Sequence, residues 1–261
     1  MVHHANTQFN IVPSMKEELE FIREKIQQGS GVIWRTPIAF LIQKTPFAEA
    51  YGNSSLDRAG GYSIALKFWW HLDFEDEVIL LTRKHIKDNT DGQLISINVL
   101  EFFTVIINYC AALTALESDK NITDDPHPVL LNITDNMSAQ TWTRHTCKSS
   151  EIGKLLARFF CCLIMDSPLG VNSKWISTHD NECADDISRI KKTAGPTSSS
   201  QQYVFDYSTL QQKYPQLKSC RSFRPRPELL SLLWSIVLDK KWPDLEQVRV
   251  LKLKGLGQLI T

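Results

Sequence analysis

The run Asn98–Leu116, NVLEFFTVIINYCAALTAL, constrains this chain more than any other segment. It is far longer than a strand of about 5–6 residues. It is also apolar nearly all round, with Glu101 its only charge. A helix with no polar face must be covered on every side, and the simplest cover is a sheet on one side and further helices on the other.

The rest of the chain supplies such a sheet. Ala48–Ser55 and Tyr62–Trp70 are β-prone and flank the turn-rich string Leu56-Asp57-Arg58-Ala59-Gly60-Gly61, and Val78–Leu81 is a third short apolar run. These predict three antiparallel strands. Asp124-Asp125-Pro126-His127-Pro128 then breaks the chain before a fourth strand, Val129–Thr134. Two helices, Ser138–His145 and Glu151–Met165, divide near Lys148. Ser167-Pro168-Leu169-Gly170 precedes a fifth strand, Val171–Ser177, and Asn181–Lys191 reads as a helix.

The expected fold class is therefore α/β, a mixed five-stranded sheet flanked by helices, with helical N- and C-terminal extensions. Residues 1–47 form a connecting segment around the amphipathic helix 14–28, and residues 48–192 form the main domain. Residues 193–202, TAGPTSSSQQ, read as a linker, and 203–261 as a small appendage around the helix Glu228–Leu238.

Charge is balanced, with 29 Lys plus Arg against 29 Asp plus Glu, so binding to nucleic acid would have to rest on a local patch. The six cysteines show no C-x-x-C spacing and read as buried thiols of a reducing compartment. The start, MVHHANTQFN, has no basic region followed by an apolar run, and no stretch reads as a membrane span. A cytoplasmic or nuclear protein without a membrane partner is expected. Phosphate-binding glycine loops, the G-x-S-x-G elbow and H-E-x-x-H are all absent from the sequence.

Three acidic positions stand out. Glu101 lies near the start of the apolar helix, where an acid either compensates the helix dipole or turns toward a site at the sheet edge. Asp135, in LLNITDNMSAQTW, sits at a strand-to-helix junction, where it could also serve as an N-cap. Asp185 lies in WISTHDNECADDISR, with Asp186 as the rival for its role.

Taken in order, the Leu-Glu-Phe helix, the Thr-Asp-Asn-Met-Ser-Ala junction and the Ala-Asp-Asp-Ile-Ser-Arg helix resemble the ribonuclease H domain of retrotransposons. The likeness is greatest to the DIRS-like tyrosine-recombinase elements and spans about residues 48–192. It implies a ribonuclease H-like sheet and two-metal hydrolysis of the RNA strand in RNA/DNA hybrids. Glu101, Asp135 and Asp185 would then be catalytic residues holding two Mg²⁺ ions, or Mn²⁺, about 3.5–4 Å apart.

The family's first acid should stand in the first strand, and here that position is Asn53. An amide is neutral and cannot bridge two cations as a carboxylate does, so weak metal binding and a large loss of rate are expected. Asp57 is no substitute, because four residues along an extended strand span roughly 13 Å. His179 is a candidate for proton transfer or product release, against the plainer reading of a solvated loop histidine. Arg144, Lys148, Lys154 and Arg158 are candidates for contacts to hybrid phosphates, against that of a solvated face.

Two functions follow from the resemblance: a ribonuclease H with impaired turnover, or a catalytically inactive nucleic-acid-binding module or polyprotein remnant. An integrase-like nuclease fits the Ala-Asp-Asp-x-Ser-Arg string less well.

Overall fold

A computed structural model of the chain describes residues 44–88, 95–119, 121–145, 147, 150–165, 167–190, 207–242 and 245–260, and residues 16, 19, 20, 22 and 23. Two compact units are present, Met1–Thr36 and Pro37–Thr261. In the first, the described residues are helical, and Lys16 and Glu20 form an i,i+4 ion pair.

The second unit is α/β, as expected, but its mixed sheet has seven strands rather than five, in the order β5-β4-β1-β2-β3-β6-β7. Strands β1 (Ala48–Ser54), β2 (Arg58–Ser63) and β3 (Phe68–Asp73) form an antiparallel meander. Strand β4 (Val129–Thr134) runs parallel to β1, and β5 (Gly170–Trp175) runs parallel to β4.

The two additional strands come from the tail read as a helical appendage. Strand β6 (Arg221–Pro225) pairs parallel with β3, and β7 (Gly257–Ile260) pairs antiparallel with β6. Both are short, and β6 falls in a Pro- and Arg-rich string whose composition speaks against a strand. The expected linker, 193–202, lies outside the described residues.

Among the described residues, eight helices accompany the sheet: α1 (Asp76–Asp88), α2 (Ile97–Ser118), α3 (Met137–Trp142), α4 (Glu151–Ile164), α5 (Glu182–Ser188), α6 (Tyr207–Lys213), α7 (Pro227–Asp239) and α8 (Leu245–Lys254). The expected strand at Val78–Leu81 is part of α1. Its buried residues Val78 and Thr82 are four apart, Thr82 Oγ1 donates to the Val78 carbonyl, and Asp76 and Glu77 occupy the first turn, all helical features.

Helix α2 is the apolar run. It lies across the sheet, while α4 and α7 cover its other side through Phe102–Phe160, Tyr109–Phe160 and the stacked pair Phe103–Trp234. By length and composition it could cross a membrane, contrary to the expectation that no stretch would. Yet 94% of its most apolar window is buried inside the fold, so the core already uses that surface.

Helix α5 packs on the opposite face. Consecutive glycines of β2 show the division: a Cβ on Gly61 would strike Asn108 of α2, whereas one on Gly60 would lie 2.6 Å from Ile187 and 2.8 Å from the Ser188 nitrogen of α5. Asn53 pairs with Gly60 across the strands and so faces α5.

Candidate active site

The carboxyl end of β1 places Asn53 and Ser54 between the two helix layers. Both are buried, and each is bound to an acid far away in the chain. Asn53 Nδ2 donates to Asp185 Oδ1 of α5 at 2.7 Å, and the Ser54 amide donates to Glu101 Oε1 of α2 at 2.9 Å. Glu101 Oε2 lies 3.5 Å from the Thr134 hydroxyl at the end of β4. Asp135 follows directly, half-buried, its carbonyl accepting from Trp175 Nε1 at 2.8 Å. Four positions from β1, α2, the β4 end and α5 thus converge on one edge of the sheet.

Electrostatics register the crowding. Burial, and next the charge of Asp135, hold the Glu101 pKa well above the ordinary carboxylate range; Asp185 adds to the rise, while the Ser54 amide and Thr134 hydroxyl oppose it. Asp185 is also raised, first by burial and further by Asp186 and Asp135, against the lowering pull of Arg189. Glu101 stands beyond the first turn of α2, which contains no acid, so dipole compensation does not account for it.

The structure separates Asp185 from its rival. Asp186 is buried on the other side of α5, where its Oδ2 accepts from Lys213 Nζ and from Tyr214 OH, each at 2.7 Å. Asp135 is not the N-cap of α3, because Asn136 accepts from the Ala139 amide at 2.9 Å. Asp57 lies in the β1–β2 turn, accepting from Ser55 Oγ. His179 is exposed on the 3-10 turn Thr178–Asn181 before α5.

The basic candidates do not share one setting. Arg144 is exposed just past α3 and donates to Asn172 Oδ1 of β5, whereas Lys154 and Arg158 are half-buried on α4. Lys148 lies outside the described residues.

Arg189 is the site residue that the sequence reading missed. Its Nε and Nη2 lie 3.0 and 2.9 Å from Asp185 Oδ1, the atom that Asn53 also binds. The spacing i,i+4 on a helix was the available signal.

No family model, curated protein or solved structure matches the chain.

A pair of divalent cations does not fit these residues as they stand. Among the described residues, no three His, Cys, Asp or Glu side chains come together as a metal-holding group. Asp185 Oδ1 already accepts hydrogen bonds from Asn53 Nδ2 and Arg189 Nε and has Arg189 Nη2 beside it in an ion pair, and Glu101 turns its oxygens to Ser54 and Thr134. The Arg189 guanidinium places a positive charge where a cation would have to approach Asp185 Oδ1, and Asn53 offers no anionic oxygen to share between two ions.

Proposed function

We propose that this chain is a ribonuclease H-like domain of the retroelement kind whose hydrolytic centre is silenced at Asn53. On this reading it acts as a nucleic-acid-binding module for RNA/DNA hybrids without useful turnover. The observation that carries the reading is the bond between Asn53 Nδ2 and Asp185 Oδ1, formed where Glu101 and Asp135 also meet.

The order of elements supports descent from a nuclease. An antiparallel meander, the helix α1, the long buried helix α2, a parallel strand, two helices, a parallel strand and helix α5 bring the four resembling positions to one edge. A site with four converging positions from distant elements needs more explanation than core packing provides, and acids gathered there raise one another's pKa at a cost in stability. Loss of turnover follows from the neutral amide, which supplies hydrogen-bond donors where hydrolysis would need a bridging anion.

Cleavage of a labelled RNA/DNA hybrid in Mg²⁺ or Mn²⁺ tests the reading, comparing the chain with Asn53→Asp and with Asn53→Asp carrying Asp135→Asn. We expect no cleavage by the chain itself and a gain of more than about 100-fold in Asn53→Asp, since even outer partners of a metal site are worth 10–100-fold. The second change should abolish that gain. Cleavage by the unaltered chain, or silence from a folded Asn53→Asp, would overturn the reading. Hybrid binding is measured alongside, and a chain with no affinity for the hybrid would remove the binding role.

A further inference from the structure

We infer that Asn53 and Arg189 form a built-in counter-charge that takes the place of a divalent cation at Asp185. The inference rests on the reading of the acidic sheet edge as a former hydrolytic centre, and its test is independent of cleavage.

A carboxylate can only accept hydrogen bonds, so an amide beside it must present its nitrogen and turn its oxygen away. Asn53 does so at 2.7 Å. The guanidinium of Arg189 reaches the same Oδ1 with Nε at 3.0 Å and Nη2 at 2.9 Å. Three nitrogens therefore surround one oxygen, one neutral and buried, two belonging to a single positively charged guanidinium.

The two donors arrive by different routes. Asn53 is 5% exposed and held near the carboxyl end of β1, so its amide is a fixed part of the sheet edge. Arg189 is 60% exposed in its side chain and sits one helical turn after Asp185, so its charge is always within reach. Glu101 is satisfied independently, by the Ser54 amide and the Thr134 hydroxyl. Asp185 and Glu101 thus already have partners within the chain.

An aspartate at position 53 would reverse this. It would set a second carboxylate against Asp185 at the contact now made by an amide, and two such groups require a proton or a cation between them. The substitution should turn a protein indifferent to divalent cations into one that depends on them.

Thermal unfolding and titration calorimetry of the full chain, without nucleic acid, test this in EDTA and in millimolar MgCl₂ or MnCl₂. The unaltered chain should unfold at the same Tm in all three and give no binding isotherm. Asn53→Asp should lose about 5 °C or more in EDTA and recover it with either cation, as ligand linkage requires. Arg189→Gln, a surface change that leaves the fold intact, should acquire a measurable Mn²⁺ response. The double variant should bind Mn²⁺ at least about tenfold more tightly than Asn53→Asp alone, since it lacks the competing guanidinium.

A Tm of the unaltered chain that rises with Mg²⁺ or Mn²⁺ overturns the inference, as does a cation-indifferent Asn53→Asp with a native circular dichroism spectrum. If Asn53→Asp does not fold even with Mg²⁺, the Mn²⁺ response of Arg189→Gln decides alone, and its absence counts against the proposal. Cation binding by Asn53→Asp without hybrid cleavage would leave this inference standing and remove the hydrolytic ancestry.

Discussion

Asp185 and Asp186 are neighbours on α5, yet they serve two different clusters. Each has one cationic partner and one neutral donor: Arg189 and Asn53 for Asp185, Lys213 and Tyr214 for Asp186. Lys213 also bonds Glu182 at 2.8 Å, and beneath this cluster Cys183, Ile187 and Ile190 pack against Leu210, Leu217 and Cys220. There the charges clamp the chain after residue 206 onto α5, over an apolar core. On the Asp185 side the acids outnumber the cations, because Glu101 and Asp135 share the edge with Asp185. Equal local partnering therefore produces a structural latch on one side and an over-acidic edge on the other. The difference lies in what the surrounding elements bring.

The largest change would remove the seat that both clusters share. In Gly60→Ala the new Cβ would meet the Ser188 nitrogen at 2.8 Å and the Ile187 carbonyl carbon at 2.9 Å, and backbone cannot swing aside. A loss of about 3 kcal/mol is expected in denaturant unfolding. Smaller loss would mean that α5 shifts freely and that neither cluster fixes its position.

Asp186→Ala attacks the latch alone. Tyr214 OH loses its acceptor, while Lys213, 39% exposed, keeps Glu182, so the cost should be about 2 kcal/mol. Hydrogen exchange should quicken in residues 207–220 and remain unchanged at Asn53. Equal quickening at both places would show that the two sides of α5 are one unit.

Glu101→Gln relieves the over-acidic edge. The folded pKa of Glu101 is raised, so the folded state holds its proton more tightly than the unfolded state does. That contribution is complete below the ordinary glutamate range and is lost as pH rises through the raised folded value. At pH 7 the glutamine variant should be more stable by about 1 kcal/mol, because its oxygen still accepts from Ser54 without a buried charge. Stability measured from pH 4 to pH 8 should fall less steeply for the variant than for the parent; identical slopes would dismiss the strain assigned to Glu101.

Arg189→Gln should have the smallest effect on stability, under about 0.5 kcal/mol, because the guanidinium is mostly in water. Its value lies in the contrast with its cation response.

Much of the architecture was legible locally. The apolar helix, the strand Val129–Thr134 and the helices around 151–164 and 227–239 follow from periodicity and breakers. The span Tyr62–Trp70, expected as one strand, is divided by the hairpin between β2 and β3, and part of the expected turn Leu56–Gly61 belongs to β2. The hairpin turn, Ile64–Lys67, carries no glycine or asparagine, and Lys67 adopts φ 53° despite its side chain. The expected strand Val78–Leu81 is helical because four apolar residues in a row suit either state, and the flanking acids and Thr82 decide for helix.

What the residues by themselves determined is the presence of a central helix that must be enclosed, a sheet to enclose it, and acids at Glu101, Asp135 and Asp185 beside a neutral Asn53. The helix and the sheet are matters of composition and spacing within short windows, whereas grouping Asn53 with the three acids is what the resemblance implies. Tertiary structure alone decided that Asn53 bonds Asp185 across 132 residues, that Asp186 turns the other way, and that 221–225 and 257–260 become strands. The reason is physical: short strands and single hydrogen bonds are too weak to form alone and exist only where a larger packed surface has already brought their partners together.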